Sequence, residues 1–374
     1  MTEATGRYSA RLMNKAPGFL VRCEGPFNGG PPVGELARDP VTPTPFFFVR
    51  SHAPVPHVDP SSFRLRIEGA VKRPLSLSLE DLAGDFERVQ LAATLQCAGL
   101  RRDELRAVAE VGGELPWSGD AIGNAVWSGV RLADVLAAAG AARDRSGAHV
   151  SFAGFDRIPK ADAVIPFGGS VPAHKAWSPE VLLVDSMNDS ALPAVHGGPL
   201  RMVVPGYIAA RSVKWLEEVR VQSEPSDNYY QQRSYRLHLV GPGEPSANDR
   251  GEMLADLRLN SAITSPAPGT RLRPGRFEVR GWAIGSGDAP VARLELSADG
   301  GGTWREVRFS DDGQCRWTWR LWRAEVEAAP GNAVLVVRAF DSTGAGQPES
   351  LLAVWNPKGY MNNAWHRVPV AVAS

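Results

Sequence analysis

The sequence changes character at one polar, turn-rich segment, GPGEPSANDRGEMLAD, which spans residues 241–256. After it, short runs such as RFEVRGWAI, VARLELSAD, TWREVRFS, CRWTWRLW and AVLVVRAFD alternate apolar and polar residues and are separated by turns. Such alternation lets each strand bury one face and expose the other. Residues 257–374 are therefore predicted to form an all-β sandwich, joined by a linker to the region before it.

Two further patterns refine the prediction for residues 257–374. Short strands at this spacing are typical of an immunoglobulin-like sandwich, although the Cys–Trp–Cys spacing of antibody domains is absent. The segment SADGGGTW predicts a hairpin with a Gly-rich tip. The tryptophans of this region are expected in the core or at an interface, because indoles are large apolar anchors; they are Trp304, Trp317, Trp319 and Trp322.

Residues 46–243 show a mixed α+β pattern. The runs FRLRIEGAV, HVSFAGF, EVLLVDSM and LRMVVPG predict strands, and RLADVLAAAG predicts a helix that ends at its glycine. Frequent Gly and Pro residues between these elements predict long loops, where site residues are often found. Residues 1–45 are rich in Pro and Gly without periodicity and are predicted to form an irregular lead over this domain.

The charge balance argues against whole classes of partner. Lys plus Arg and Asp plus Glu number 41 each, so nothing electrostatic favours nucleic acid or an anionic membrane as the main partner. No apolar run approaches the length of a bilayer span. The first residues lack the continuous apolar core of a secretion signal, so a cytoplasmic location is expected, or a periplasmic one if a signal was removed.

The chain has only three cysteines, Cys23, Cys97 and Cys315, which lie far apart. Their spacing fits neither a structural zinc site nor a disulfide framework, and Cys23 and Cys315 are interpreted as bystanders. Cys97, in TLQCAGLRR, is followed by Arg101 and Arg102, and nearby positive charge favours a thiolate. From the residues alone, Cys97 is a metal ligand, a nucleophile or a buried structural cysteine.

The segment HGGPLRMVVPGYIAARSVKWLEEVRV, residues 196–221, concentrates cationic and hydroxyl side chains around Gly and Pro breaks; they are His196, Arg201, Arg211, Ser212 and Lys214. Such donors on irregular backbone suit a polyanionic ligand such as a phosphate. A strand pair with solvated charges is the alternative. The run FVRSHAPVP adds Arg50 and His52, and NAWHRV adds a His–Arg pair near the C-terminus.

Seven segments, taken in order along the chain, resemble the sulfite oxidase family of molybdenum-cofactor oxidoreductases. They are FVRSHAPVP, TLQCAGLRR, LPWSGDAIGNAVWSGVRLADVL, HGGPLRMVVPGYIAARSVKWL, QQRSYR, SAITSPAPG and NAWHRV. The resemblance runs from about residue 43 to 370. It implies a mixed α/β molybdopterin-binding catalytic domain, followed by an immunoglobulin-like domain that forms a homodimer.

The resemblance also implies roles for individual residues. Cys97 would bind molybdenum as a thiolate beside the sulfurs of the cofactor, since soft sulfur ligands suit this metal. The residues implied to hold the pterin and its phosphate are His52, Asp156, His196, Arg201, Ser212 and Lys214. The residues implied for the substrate pocket are Arg50, Arg102, Trp117, Tyr235 and Lys358. Fixed cations suit a small oxyanion such as sulfite, because a guanidinium offers two parallel N–H groups.

The chain departs from the family pattern at three places around this pocket. Leu100 replaces a common Asn, and Gly112 and Gly113 stand where animal relatives have a lysine. Lys358 stands where the animal and plant enzymes usually have an arginine. We expect the changes at Gly112, Gly113 and Lys358 to weaken sulfite binding without affecting the cofactor, since a lysine is missing and an ammonium cannot offer the bidentate geometry of a guanidinium.

The implied activity is oxidation of sulfite to sulfate by oxygen-atom transfer, with molybdopterin and molybdenum as cofactor and neither haem nor flavin. Electrons would pass to an external acceptor, either oxygen or a separate cytochrome. The alternatives are a reductase of nitrate, another oxyanion or an S-oxide within the same family, and a non-catalytic protein that binds the molybdenum cofactor. Tyr235 in QQRSYR disfavours nitrate reduction, because relatives with that activity lack this tyrosine.

Overall fold

A computed structural model describes residues 10–11, 13–143, 147–239, 241–242, 250–285, 287–311 and 316–373. Cys315, predicted to be a bystander, lies outside the described residues, as do residues 243–249 of the predicted linker. No helix in the described part of the chain is long and apolar enough to cross a bilayer.

The part of the chain before the β-sandwich is built from short strands and few helices. Its strands are β1 Leu20–Glu24, β2 Phe27–Gly30, β3 Leu65–Gly69, β4 Leu75–Leu77, β5 Arg88–Gln96, β6 Ile122–Arg131, β7 His149–Gly154, β8 Ile158–Pro159, β9 Val164–Ile165, β10 Gly168–Pro172, β11 Leu182–Met187, β12 Ser190–Ala191, β13 Arg201–Val203, β14 Leu216–Gln222, β15 Arg236–Leu237 and β16 Glu252–Met253. Its α-helices are α1 Leu79–Asp85, α2 Arg102–Leu105, α3 Leu132–Ala138 and α4 Ala173–Ala176.

Two sheets organise this region. One has the strand order β10-β7-β14-β3-β4, and the other has the order β12-β11-β6-β5, with β13 paired to β11. The predicted strands correspond to β3, β7, β11 and β13, and the predicted helix to α3, so the mixed α+β interpretation is confirmed. Helix α3 packs Leu132, Val135 and Leu136 into the core, and its chain reverses at Gly140, whose φ is 71°.

The prediction of an irregular lead over residues 1–45 is wrong for β1 and β2, which form an antiparallel hairpin. The hairpin is anchored by Phe27, which is 1% exposed and stacks on Phe19. Gly29 pairs with Val49 through two backbone hydrogen bonds, at 3.0 and 2.8 Å. The apolar side chains outweigh the Pro/Gly composition, and the pairing holds the lead against the segment that carries Arg50.

Residues 257–373 form the predicted β-sandwich. Its strands are β17 Asn260–Ser265, β18 Arg271–Leu272, β19 Gly275–Ile284, β20 Val291–Ser297, β21 Arg305–Glu306, β22 Arg320–Ala328, β23 Gly331–Asp341 and β24 His366–Val372. One sheet has the order β17-β19-β22 and the other β18-β24-β23-β20-β21. Strands β20 and β21 pair across the SADGGGTW segment, as the hairpin prediction requires.

Tryptophans join the β-sandwich to the sheet that contains β5. The backbone N–H of Trp319 donates to Thr94 Oγ1 at 2.9 Å, and the backbone N–H of Thr94 donates to Trp317 O at 2.9 Å. Trp319 and Trp282 stack within one core cluster that also contains Trp127 of β6. The core therefore continues from one region into the other, and it fixes the end of β5 against the sandwich.

Candidate active site

A cavity lies where the carboxyl end of β5 meets residues 47–52 and the loops around β13. It encloses about 690 Å³ of space not occupied by atoms, its open mouth included. Nine of the twelve candidate residues line it, namely Arg50, His52, Cys97, Asp156, His196, Arg201, Ser212, Lys214 and Tyr235. Arg102, Trp117 and Lys358 are not among the lining residues.

Cys97 follows β5 directly and is 6% exposed in the cavity wall. The backbone N–H of Gly99 donates to its Sγ at 3.4 Å. Burial raises the pKa of the Cys97 thiol, and the positive charges of Arg50 and Arg102 lower it by less. Arg102 therefore acts on the thiol in the predicted direction, but in the protein by itself the removal of the sulfur from water outweighs the two charges.

Arg101 and Arg102 are adjacent in sequence but have separate surroundings. Arg101 has a left-handed backbone, with φ of 61°, at the start of α2. Its buried guanidinium donates to both carboxylate oxygens of Glu104 at 2.7 Å, and to Asn260 Oδ1 at 2.8 Å and Ala364 O at 2.9 Å. These bonds offset a backbone strain of about 1–2 kcal/mol. Arg101 therefore fastens α2 to the β-sandwich, and the hypothesis that it acts on the thiol is wrong.

Arg102 is 2% exposed and is held by backbone carbonyl groups. Its Nε donates to Lys358 O and its Nη1 to Leu115 O, both at 2.8 Å. Two glycines permit this packing: a Cβ at Gly99 would lie 2.6 Å from Nη2, and a Cβ at Gly359 would lie 2.5 Å from Cγ of Arg102. The loop before β24 thus contributes to the site and holds the guanidinium in one place.

Arg50, His52 and Tyr235 form a chain of contacts. Arg50 Nη2 donates to His52 Nε2 at 2.9 Å, and the Tyr235 hydroxyl lies 3.3 Å from the same nitrogen. Burial, with the charges of Arg50 and Lys214, holds the pKa of His52 well below its usual value. Because a guanidinium can only donate, Nε2 of the neutral ring accepts and the ring proton lies on Nδ1. Burial raises the pKa of Tyr235, so its phenol stays protonated.

The deep side of the cavity holds buried cationic side chains whose partners are mostly neutral. Lys214 Nζ donates to Ser51 Oγ at 2.6 Å. Arg201 donates to the carbonyl oxygens of His196 at 2.7 Å and Ser212 at 3.0 Å. Burial lowers the pKa of Arg201 to about 9 and holds the pKa values of Lys214 and His196 well below their usual ranges. A bound anion would stabilise these groups in their charged forms.

Lys15, in the predicted lead, was missed by sequence reasoning. Its Nζ donates to Thr44 O at 3.1 Å and Phe47 O at 3.0 Å, and lies 2.7 Å from His196 Nε2, so three acceptors surround three ammonium protons. Lys15 is 9% exposed, and burial lowers its pKa to about 7. A lone lysine in a segment without periodicity carries no local signal of a site. We refer to Lys15, His196, Arg201 and Lys214 as the deep cluster.

Trp117 and Lys358 lie outside the cavity lining. Trp117 is fully buried, and its Nε1 has no hydrogen-bond partner within the described residues. Lys358 Nζ donates to Ser234 O at 3.0 Å, directly before Tyr235 in the chain. Burial lowers the pKa of Lys358, and the carboxylate of Glu114 opposes that shift. Lys358 is therefore bonded next to Tyr235, which lines the cavity, and its own place in the anion pocket stays a prediction.

The donor set fits a molybdenum cofactor. Among the described residues, no group of three or more His, Cys, Asp and Glu side chains is placed to hold a metal ion, so the single thiol of Cys97 would act with ligands from an organic group. The deep cluster offers ammonium and guanidinium donors of the kind that bind phosphate. Asp156, whose Oδ1 accepts from Phe167 N at 3.1 Å, offers a carboxylate to the same cavity.

Two family models match the chain, and two curated relatives agree with them. Residues 52–230 match the oxidoreductase molybdopterin binding domain, and residues 251–373 match the Mo-co oxidoreductase dimerisation domain. The mitochondrial sulfite oxidase of Mus musculus is 41% identical over 95% of this chain, which spans 66% of that protein's length. The sulfite oxidase of Arabidopsis thaliana is 35% identical over 94% of this chain and 93% of its own length.

A solved structure shows the same fold across nearly the whole chain. The sulfane dehydrogenase SoxCD from Paracoccus pantotrophus superposes with a TM-score of 0.76 at 25% identity, covering 96% of this chain and 86% of that chain. Identity above 30% over nearly the full length of the plant relative, together with the cavity around Cys97, leaves one conclusion. The chain belongs to the sulfite oxidase family of molybdopterin-binding oxidoreductases.

Proposed function

We propose that this protein oxidises sulfite to sulfate with a molybdenum cofactor bound in the cavity. The observation that carries the proposal is the position of Cys97 in one wall of a cavity whose lining also holds Arg50 and the deep cluster's His196, Arg201 and Lys214. Arg50 suits a small oxyanion, and the deep cluster suits the phosphate of a cofactor. The sulfite oxidase relatives at 35–41% identity support the choice of substrate.

The protein's own side chains bind and orient the substrate anion. Arg50 and Arg102 would hold the oxyanion near the Cys97 sulfur through charge-assisted hydrogen bonds. Tyr235, which stays protonated, would donate a hydrogen bond from its hydroxyl to an oxygen of the bound anion. His52, with its proton on Nδ1, would fix the guanidinium of Arg50 by accepting from it. When bound, the molybdenum cofactor supplies two-electron oxygen-atom transfer to sulfur.

The assembly and electron acceptor extend the same proposal. The match of residues 251–373 to a dimerisation domain supports a homodimer formed through the β-sandwich. The acceptor is external, either oxygen or a separate cytochrome, and the protein acts in the cytoplasm. Sedimentation at micromolar concentration tests the dimer, and a monomer there would refute it. Fractionation of cells tests the location.

One experiment tests the activity directly. Purified protein is analysed for molybdenum and assayed for sulfite-dependent reduction of ferricyanide and uptake of oxygen. We expect stoichiometric metal, sulfite oxidation with at least one acceptor, and no nitrate reduction. If molybdenum-containing protein reduces nitrate and does not oxidise sulfite, the reductase is favoured. If molybdenum-containing protein is inactive on every oxyanion, a non-catalytic cofactor-binding protein is favoured.

A substitution at Cys97 ties the activity to the cavity. Cys97→Ser replaces soft sulfur by a hydroxyl that binds molybdenum poorly, so sulfite turnover should fall to background while the circular dichroism spectrum is unchanged. Cys23→Ser is the matched control, since Cys23 lies in β1 and not in the cavity lining. Full sulfite activity of Cys97→Ser would overturn the assignment of this residue.

A further inference from the structure

A carboxylate lies beside the cations proposed to bind the substrate. Glu114, in the VGGELPW segment between α2 and β6, places Oε2 3.8 Å from Arg102 Nη2, and its side chain is 22% exposed. The Tyr360 hydroxyl donates to Glu114 Oε1 at 3.4 Å. Tyr360 stacks on Tyr235 with 5.5 Å between ring centroids. Glu114 therefore packs beside Arg102 and Tyr360, next to the cavity-lining Tyr235, and is not an isolated surface charge.

Arg102 does not depend on Glu114 for its position. Its Nε and Nη1 are bound to two carbonyl oxygens at 2.8 Å. Gly99 and Gly359 pack against the side chain at distances that leave no space for a Cβ. At 3.8 Å the carboxylate is beyond hydrogen-bond reach of Nη2, so it acts on this guanidinium mainly through its charge. Loss of that charge should leave Arg102 in place.

The negative charge also acts on the other groups of the pocket. Burial raises the pKa of Tyr235 and lowers the pKa of Lys358, and the charge of Glu114 makes a smaller upward contribution to both. An incoming oxyanion would meet the same carboxylate, which repels it and competes for Arg102. The Coulomb energy scales with the charge of the ligand. Sulfate carries two negative charges near neutral pH, whereas sulfite is in part singly protonated, so the product is repelled more strongly than the substrate.

We propose that Glu114 is a specificity-determining residue that weakens oxyanion binding and favours release of the dianionic product over retention of the substrate. The inference rests on the proposed function, because it takes sulfite as substrate and sulfate as product. The negative charge at Glu114 adds to the effect of Lys358, and together they give a pocket of low product affinity.

The test compares Glu114→Gln with the wild-type holoenzyme, with activities expressed per bound molybdenum. The amide keeps the shape and the bond from Tyr360 but removes the charge. We expect loss of the Glu114 charge to lower the KM for singly charged sulfite by about threefold. The repulsion energy is twice as large for the sulfate dianion, so the factor is squared and the inhibition constant of sulfate should fall by about tenfold. Glu110→Gln, an exposed carboxylate four residues earlier, is the matched control and should change neither constant.

A binding measurement separates this inference from the proposed function. Isothermal titration of sulfate into the resting protein needs no turnover, and Glu114→Gln should bind sulfate about tenfold more tightly. Tighter sulfate binding without sulfite turnover in either protein would overturn the activity and support Glu114. Sulfite turnover with unchanged KM, inhibition and sulfate affinity would overturn the role of Glu114. Loss of molybdenum from both Glu114→Gln and Glu114→Ala would also overturn it, because the residue would then be structural.

Discussion

The molecule has two cationic regions at the cavity: the deep cluster, and a second group formed by Arg102, Lys358 and Glu114, which we call the rim. Their charges are balanced differently. In the deep cluster, Lys15 and Lys214 have carbonyl, hydroxyl and imidazole partners, and burial lowers both pKa values. At the rim, Arg102 is also held by carbonyl groups but faces the carboxylate of Glu114. Within the described residues, no ion pair joins the deep cluster to a carboxylate, and Asp156 acts on Lys214 only at longer range. At the rim, the carboxylate of Glu114 lies 3.8 Å from Arg102.

This difference in charge balance suits two ligands that stay bound for different times, the cofactor and the substrate. A cofactor stays bound, so a buried site that is unfavourable when empty and favourable when filled by an anion gives strong retention. A substrate must be exchanged on every turnover, and a fixed carboxylate keeps the net attraction modest. The comparison predicts that substitutions in the deep cluster change cofactor content, whereas substitutions at the rim change KM and inhibition.

The largest effect is expected at Lys15. Lys15→Met removes the ammonium that bonds His196 and two carbonyl groups. Each charge-assisted bond that is lost costs the protein about 1.5–3 kcal/mol. None of these bonds is made to the cofactor, so the cofactor is affected indirectly: His196, which lines the cavity, loses the partner that fixes its ring, and one positive charge is lost beside it. We expect faster loss of molybdenum and pterin on dialysis, measured by metal analysis and the fluorescence of released pterin.

The control for Lys15 is Arg11→Met, which removes an exposed cation of the same lead. Its cofactor retention should equal that of the wild type. If Lys15→Met retains its cofactor like the wild type, Lys15 does not contribute to cofactor binding, and the deep cluster consists of His196, Arg201 and Lys214 alone.

A smaller effect is expected at the rim residue Lys358. Its ammonium already donates to Ser234 O, so only part of its charge is directed at a ligand. Lys358→Met should raise the KM for sulfite by about three- to tenfold with molybdenum content unchanged, and Lys358→Arg should lower it because a guanidinium binds bidentately. An unchanged KM in Lys358→Met would mean that the side chain does not act on the anion; the exposed Lys72→Met is the control.

Beside a third cation, Arg101, whose charge is paired with Glu104, we expect an effect on protein stability rather than on binding. Beside it, His366 Nδ1 accepts from Ile263 N at 3.0 Å, and burial lowers the pKa of His366 from 6.5 to about 4. His366 takes up its proton near pH 6.5 in the unfolded chain and only near pH 4 in the folded chain. Its contribution to the free energy of unfolding is therefore complete above pH 6.5 and is lost as the pH falls toward 4. The loss is at most about 3 kcal/mol.

Thermal unfolding of the wild type and His366→Gln between pH 7 and pH 4.5 measures this contribution. The glutamine oxygen can still accept from Ile263, but it does not titrate. The wild type should therefore lose several degrees more in Tm over this range than the variant, while carboxylates common to both proteins contribute equally. Parallel curves would show that His366 is not the group responsible.

The sequence by itself determined most of the architecture. Period-two alternation predicted the β-sandwich, because the pattern records which face of each strand is buried, and short apolar runs predicted four strands of the region before it. It also singled out Cys97 and the cationic segment from His196 to Lys214, because their residue types are chemically distinctive and close together in the chain. Nine of the twelve candidate residues meet in one cavity.

Only the tertiary structure decided how the charges are paired. Arg101 and Arg102 read alike in sequence, yet a left-handed backbone at Arg101 turns it toward the β-sandwich. Lys15 reaches His196 across 181 residues, and Glu114 acquires its role from packing beside Arg102 and Tyr360. Local patterns record burial and residue chemistry, whereas side-chain direction and long-range contact depend on backbone geometry and packing that no short segment contains.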